Sequence, residues 1–309
     1  MLNKTFYERI GKIYGNDDIK IVLKGFDSER VTSFRVNTLK SDKNEIEAFM
    51  DENKISFKTL DFLKGAYIID KSNEFFLKGS KMFYDGKIYV QGIASLIPGM
   101  ILDPRSGEKI LDVTAAPGSK TTQMCALMDN RGEIAACEQN QIRFDKLAYN
   151  IKLQGCNIIK MLKMDANKLK DKIPGLYFDK ILFDAPCSAE GRINLKNEKS
   201  YGFWSVENIS KKQKIQLEIF ENIIPLLKVG GQLVYSTCTL APEENEEIID
   251  MVCRKYGFEI MDIDLNFEFA RPGIKEFSGN EYCDDISKTV RILPTSVCEG
   301  FYVANLRKK

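Results

Sequence analysis

The segment FDAPCSAEG, residues 183–191, sets Cys187 directly after Pro186 and close behind Asp184. Some fifty residues later, VYSTCTL, residues 234–240, carries a second thiol, Cys238, behind an apolar run. Both stretches read as the carboxyl end of a buried strand, where side chains leave a sheet and face a ligand. A thiolate is the strongest ordinary side-chain nucleophile near neutral pH. The chain contains no histidine. The usual neutral-pH base is therefore missing, which excludes Ser-His-Asp and Cys-His hydrolases and leaves acid–base work to Asp, Glu, Lys, Cys or water.

Upstream, LDVTAAPGSKT runs from a strand through small residues into a helix. Gly118 and the alanines let a ligand approach the backbone, and the helix start offers unpaired N–H groups. A tight turn alone would also produce this pattern. The phosphate-loop pattern GxxxxGK[ST] is absent, because Ser119 and not glycine precedes Lys120, and the GxGxxG fingerprint is absent too. With Pro117 in the turn, the residues suit a nucleoside ligand without an essential phosphate, such as S-adenosylmethionine. Glu138 ends the next strand, twenty residues after Gly118, the spacing at which a carboxylate meets a ribose. Asp165 follows the third strand, placed for an adenine edge, and Asp184 ends the fourth. Ligand-type groups at four consecutive strand ends are hard to dismiss as solvated carboxylates.

Two thiols beside a nucleoside site suit one reaction in particular. Carbon 5 of a pyrimidine is not nucleophilic until a thiolate adds to carbon 6. Carbon 5 then accepts a methyl group, its proton leaves, and the thiolate is expelled. Two thiols have separate tasks in such a cycle. Cys125, Cys137, Cys156 and Cys253 lie within predicted helices or strands, or at a helix end, and read as small buried hydrophobes.

The elements that position these residues form a regular series. EKILDV, GEIAAC, NIIKML, FDKILFD and GQLVYST are apolar runs bounded by turn signals. TTQMCALM, QIRFDKLAYNIKLQ, SKKQKIQLEIFENIIPLL and PEENEEIIDMVCRKYG between them read as helices. Alternation of this kind predicts a doubly wound, Rossmann-like α/β sheet over residues 91–309, with GFEIMDID and GFYVANLRK as closing strands, at least one of them antiparallel. Residues 1–90 predict a small α/β unit of β-α-β character behind two helices, TFYERIGKIYG and DDIKIVLKGF. The chain has 309 residues, a net charge of +1 and eight scattered cysteines without a CxxC pair. Reduced thiols in a cytoplasmic protein follow, with no metal expected and no membrane span or secretory signal. Charge alone neither announces nor excludes a polyanion partner.

Together, LDVTAAPGSKT, FDAPCSAEG, WSVENI, LVYSTCTLAPEENE and RILPTSVCEGFYVANL resemble the RNA cytosine-5 methyltransferases of the Sun family, which includes RsmB and RsmF. FRVNTLK and YVQGIASLIP extend the resemblance over about residues 30–309. The resemblance implies a methyltransferase domain behind a small RNA-recognition-like domain. It implies Cys238 as nucleophile, Cys187 as the thiol that assists release, Asp184 at the cytosine edge near ring nitrogen 3, and Lys120 against the flipped base or its phosphate. Thr114, Ala115, Ala116, Pro117, Gly118, Ser119, Lys120, Glu138, Arg143, Asp165 and Asp184 form the implied S-adenosyl-L-methionine set. The expected partner is RNA, ribosomal ahead of transfer RNA, with the protein acting as a monomer. Ala189 stands where glycine is usual, and the stretch between RILP and EGF lacks the histidine often found there. In the insertion GRINLKNEKSYGFW, Tyr201, Phe203 and Trp204 lie near Arg192, Lys196 and Lys199, and either stack on opened RNA or pack on the domain. A catalytically idle RNA-binding assembly factor and a DNA or small-molecule methyltransferase are the alternative readings. The intact Asp184, Cys187 and Cys238 stand against the first. The order of the cysteine motifs and the N-terminal segment stand against the second.

Overall fold

The computed structural model describes residues 2–309. Helix α1 (Lys4–Asp27) is broken at Gly15, whose φ of 61° leaves the helical path, so it comprises the two expected helices. There follow β1 (Thr32–Val36), α2 (Lys43–Glu52), β2 (Phe57–Leu60), β3 (Leu63–Ile69), α3 (Glu74–Gly79), α4 (Lys81–Tyr84) and β4 (Ile88–Val90). The sheet order is β2-β3-β1-β4 with antiparallel neighbours throughout. Strands β1 and β2 therefore run parallel with β3 between them, the split βαβ arrangement. One face, with Phe34, Tyr67 and Ile69, packs on Ile46 and Met50 of α2. The other face is not free. Ala66 and Ile68 pack against Ile93, Leu96 and Ile97 of the next helix, α5 (Ile93–Leu102).

The remaining elements are β5 (Lys109–Asp112), α6 (Ser119–Leu127), β6 (Glu133–Cys137), α7 (Gln141–Gln154), β7 (Ile159–Leu162), α8 (Leu169–Lys172), β8 (Phe178–Asp184), α9 (Val206–Ile223), β9 (Leu227–Thr237), α10 (Glu246–Tyr256), β10 (Glu259–Met261), β11 (Ala270–Pro272), β12 (Glu276–Phe277), β13 (Asn280–Glu281), β14 (Val290–Ile292) and β15 (Phe301–Arg307). The main sheet runs β11-β14-β15-β9-β8-β5-β6-β7, with β10 paired to β15. Strands β9 to β7 are parallel, and β15 adds antiparallel to β9. The strand order reverses between β5 and β8, which creates the crevice where doubly wound sheets bind ligands. Helices cover both faces, so successive strand residues go to opposite cores. Phe183 and Tyr235 meet Phe220 of α9 on one side, while Leu182 and Val234 meet Met124 and Ile97 on the other. Among the described residues no helix is long and apolar enough to cross a membrane.

By packing, α1 belongs to this larger sheet and not to the small unit that follows it in sequence. Phe6, Ile10, Val22 and Phe26 pack on Ile193, Leu240 and Leu293. Both oxygens of Asp18 accept from Arg271, each at 2.8 Å. Nearby, Arg291 and Glu246 form a bidentate pair with both side chains almost fully buried, and Arg291 also donates to the Leu240 carbonyl at 2.9 Å. Removing one member of such a pair strands the other charge in the core. Arg291→Leu is therefore expected to cost about 3–5 kcal/mol in urea unfolding, and Arg291→Leu with Glu246→Leu clearly less. A single-variant loss below about 1 kcal/mol, the range of exposed pairs, would contradict this account.

Candidate active site

Strands β8 and β9 pair in parallel with Asp184 opposite Ser236. Each strand releases its chain at that height, and the two thiols meet just beyond, Sγ to Sγ at 3.3 Å. The contact to Cys238 and partial burial push the Cys187 thiol well above its ordinary range. Cys187 therefore keeps its proton near neutral pH, and either sulfur could donate in the contact between them. The loops are pinned by backbone contacts. The Gly191 N–H donates to the Cys238 carbonyl and the Gly300 N–H to the Gly191 carbonyl, both at 2.9 Å. A Cβ at Gly191 would lie 2.0 Å from the Gly300 oxygen, so only glycine fits. Ala189 sits at φ 62°, a left-handed conformation that accounts for the glycine usual at this place in the family.

Asp184 is the hub. Its Oδ1 accepts from Ser236 Oγ and its Oδ2 from Lys120 Nζ, each at 2.7 Å. Lys120 also donates to Ser95 Oγ at 2.9 Å. The Thr114 hydroxyl donates to the Asp184 carbonyl at 2.6 Å, tying the ligand loop to β8. Beneath them Asp112 is buried, accepts from Thr121 Oγ1 at 2.6 Å, and is pushed up to about 7, chiefly by burial. Ser95, Asp112 and Ser236 were not singled out from sequence. Asp112 closes the strand motif LDV and was the one with a signal to find.

Two adjoining cavities open here. One, of about 400 Å³, is lined by Glu138, Arg143, Asp165, Asn167, Asp184 and both thiols. The other, of about 360 Å³, is lined by Gln91, Ser95, Lys120, Arg192, Cys238 and Phe301. Thr114, Ala116, Arg143, Asp184 and Cys238 face both. Ala115, Pro117 and Ser119 line the second. Glu138 is nearly buried, accepts from the Asn140 N–H at 2.8 Å, and pairs with Arg143 at 3.3 Å. Asp165 accepts from the Asn167 N–H at 3.0 Å. Asn167 Oδ1 is buried without a partner. Gly118 is absent from the lining of both cavities. Its φ is 104°, and a Cβ there would lie 2.9 Å from Leu147 Cδ1, so the glycine serves the turn and its packing on α7.

The insertion after Gly191 divides by residue. Trp204 turns inward, donating Nε1–H to Glu190 at 2.7 Å and meeting the Phe6 ring edge-on at 5.1 Å. Tyr201 packs in the same cluster, and Phe203 stays exposed. Trp204 therefore packs on the domain, though it stays partly exposed. Arg192, read from sequence only as an RNA contact, pairs with Glu299 at 3.1 Å and reaches Cys238, whose neighbourhood raises it further. Behind the thiol loops lies a buried carboxyl, Glu244. It accepts from the Ser188 N–H at 3.1 Å and from Gln216 at 2.8 Å. Burial pushes it up to about 7. Among the described residues, no group of three or more Cys, Asp or Glu side chains could hold a metal ion.

Glu244 binds its proton more tightly in the folded than in the unfolded chain. Its contribution to stability is full below about 4.5 and is lost as pH rises through about 7. Glu244→Gln is expected to flatten the fall in unfolding free energy across this window by on the order of 1–3 kcal/mol, read from urea melts at pH 5 and pH 8. Parallel slopes in the two proteins would show that Glu244 is ionised throughout.

Residues 99–307 match the family described as 16S rRNA methyltransferase RsmB/F, and residues 2–92 match the N-terminal domain of 16S rRNA methyltransferase RsmF. The chain is 35% identical to the tRNA (cytosine(49)-C(5))-methyltransferase of Pyrococcus abyssi, over 99% of this chain and 96% of that protein. It is 33% identical to the ribosomal RNA small subunit methyltransferase F of Aeromonas salmonicida, over 89% of this chain but only 57% of that protein. A crystal structure described as a methyltransferase homolog protein from Pyrococcus horikoshii superposes with a TM-score of 0.88 at 28% identity, covering 100% of this chain and 96% of the other.

Proposed function

Since the chain belongs to the Sun (RsmB/F) family of S-adenosylmethionine-dependent RNA cytosine-5 methyltransferases, we propose that it methylates carbon 5 of a cytosine in structured RNA through a covalent adduct to Cys238. The observation that carries this reading is the 3.3 Å approach of Cys187 to Cys238 beside Asp184, itself held by Lys120 and Ser236.

The larger cavity fits the cofactor. Glu138 offers acceptors for ribose hydroxyls, and the partnerless Asn167 Oδ1 beside Asp165 suits the amino group of an adenine. S-adenosyl-L-methionine bound there supplies an electrophilic methyl group. The chain's own residues do the rest. Cys238, as thiolate, adds to carbon 6 of the flipped base, and the electron pair moves to carbon 5. Asp184 holds the cytosine edge near nitrogen 3, with Lys120 keeping its carboxylate oriented. Once carbon 5 carries the methyl group, its proton passes to water, the pair from the carbon–hydrogen bond re-forms the double bond to carbon 6, and the carbon–sulfur bond breaks with its electrons going to sulfur. The Cys187 S–H assists this release by donating to the departing sulfur.

Two RNA classes suit the reading. The RsmF-like layout favours a ribosomal target. The match over nearly the full length of an enzyme named for cytosine 49 of tRNA favours a transfer RNA. Bisulfite sequencing of both RNA pools from a deletion strain assigns the class.

One denaturing gel tests the chemistry, with wild type, Cys238→Ala and Cys187→Ala incubated with total RNA and the methyl donor. Cys187→Ala is expected to accumulate a protein–RNA adduct that survives denaturation. Cys238→Ala is expected to form none and to lose nearly all turnover. Exchanged phenotypes would make Cys187 the nucleophile. No adduct with either variant, and loss only of a cavity's worth of stability, about 1–3 kcal/mol, would favour an idle binding factor.

Calorimetry tests the cofactor site. Glu138→Ala is expected to weaken S-adenosylmethionine binding by about 1.5–3 kcal/mol, as for a lost charge-assisted hydrogen bond. Unchanged affinity would remove Glu138 from the site.

A further inference from the structure

A flipped cytosine leaves RNA on either side of it that the catalytic cavity does not hold. Tyr89 and Val90 of β4 line the cavity that contains Lys120 and Cys238. The same two residues line a groove of about 200 Å³ beyond it, whose other walls include Lys78, Phe83, Tyr149 and Leu153. The groove therefore adjoins the catalytic cavity through one strand. Helix α7 runs along both. Arg143 faces the cavity, and Lys146, Tyr149 and Leu153 follow at helical spacing toward the groove.

The surface around this groove is unusual for the molecule. Among the described residues seven Phe and Tyr side chains are markedly exposed, and four of them, Phe75, Phe76, Tyr84 and Tyr149, lie on α3, α4 and α7. Tyr84 is 63% and Tyr149 62% exposed, so neither ring is held there by packing. These three helices carry five basic residues, Lys78, Lys81, Arg143, Lys146 and Lys152, against Glu74 and Asp145, whereas the chain as a whole has 45 against 44. Exposed aromatics in a locally positive groove match the chemistry of single-stranded nucleic acid, with rings for bases and ammonium groups for phosphates. The sheet face that carries stacking aromatics in RNA-recognition domains is covered here by α5, so the small unit cannot use that face.

We propose that single-stranded RNA flanking the target cytosine lies in the groove between α3–α4 and α7, with bases stacked on Tyr149 and Tyr84 and phosphates on Lys81 and Lys146. This rests on the reading of the chain as an RNA methyltransferase. The occupant is RNA and not a protein because the groove shares Tyr89 and Val90 with the catalytic cavity and its helices carry the local positive charge.

The test is fluorescence anisotropy with a fluorescein-labelled twelve-nucleotide oligocytidylate RNA. Tyr149→Ala is expected to weaken binding about tenfold. Lys146→Glu is expected to weaken it and to lower the slope of log affinity against log salt by about one phosphate's share. Lys228→Ala, at the opposite end of β9, is expected to match wild type. Both groove residues are exposed, and thermal melts confirm that the variants fold. The proposal is overturned if Tyr149→Ala and Lys146→Glu bind as wild type does, or if wild type does not bind the oligonucleotide. It is also overturned if size-exclusion shows Tyr149→Ala dissolving a dimer while RNA affinity is unchanged, which would make this a protein interface. Anisotropy does not depend on thiol chemistry. Intact binding without any covalent adduct would sink the catalytic reading and leave the groove standing.

Discussion

The parallel pairing of β8 with β9 governs the rest of the molecule. Opposite Ser236, Asp184 ends its strand at the height where the neighbouring strand ends, so the next few residues of each chain must leave the sheet together. That common exit brings two cysteines, distant in sequence, to 3.3 Å. The register is not adjustable. Leu182 and Val234 enter one core while Phe183 and Tyr235 enter the other, and a slip of one residue would exchange the faces of a strand that is buried on both. Packing on both faces of the sheet thereby sets the position of a pair of thiols that lies outside those cores.

Without histidine, the groups in this chain that burial brings to about 7 are carboxyls, Asp112 and Glu244. Both sit directly beneath the functional residues. Glu244 holds the backbone N–H that follows Cys187, and Asp112 anchors the first turn of α6 below Lys120. Glu190, also raised by burial, takes the indole of Trp204 and the hydroxyl of Thr239, joining the insertion to the Cys238 loop. Helix α1 completes this layer, because Arg9 pairs with Glu243 at 2.8 Å and feels the charges of Glu190 and Glu244. The N-terminal helix thus supports the thiol loops from behind, which explains why it packs on the larger sheet.

Much of this was legible in the sequence because the signals were local. The five parallel strands, the helices between them and the two closing strands, at least one expected antiparallel, follow from short apolar runs bounded by turns, and both closing strands are antiparallel to their neighbours. QIRFDKLAYNIKLQ matches α7 residue for residue. The thiols, Asp184, Lys120, Glu138 and Asp165 all fall around the two cavities, since strand ends in a doubly wound sheet converge by topology. What was not legible depends on contacts between distant segments. For Gly118 the sequence shows the turn but not Leu147, twenty-nine residues on, against which only a glycine packs without a clash. Trp204 could stack on RNA or pack on the domain, and Phe6 and Glu190, far from it in sequence, are the partners that decide for packing. Ser95 and Ser236 gave no sign, because a lone serine acquires meaning only from the lysine or carboxylate that folding sets beside it.

The covered face of the small sheet has a consequence for how the two parts of the chain act together. Arg35 of β1 is buried in that interface, where desolvation lowers its guanidinium to about 10. It donates to Gln91 Oε1 at 3.1 Å and to Thr122 Oγ1 at 2.8 Å. Gln91 in turn donates to the Ser95 carbonyl at 3.0 Å, and the Ser95 hydroxyl accepts from Lys120, whose ammonium holds Asp184. A line of buried and then partly buried polar contacts therefore runs from the small sheet to the carboxylate beside the thiols. The two links that Arg35 makes would be costly to leave unmade, because they are buried. The line fixes β1, and through it β4 and the groove behind Tyr89, at a set distance from Cys238. RNA held on one part is then held in register with the chemistry on the other, without a hinge between them.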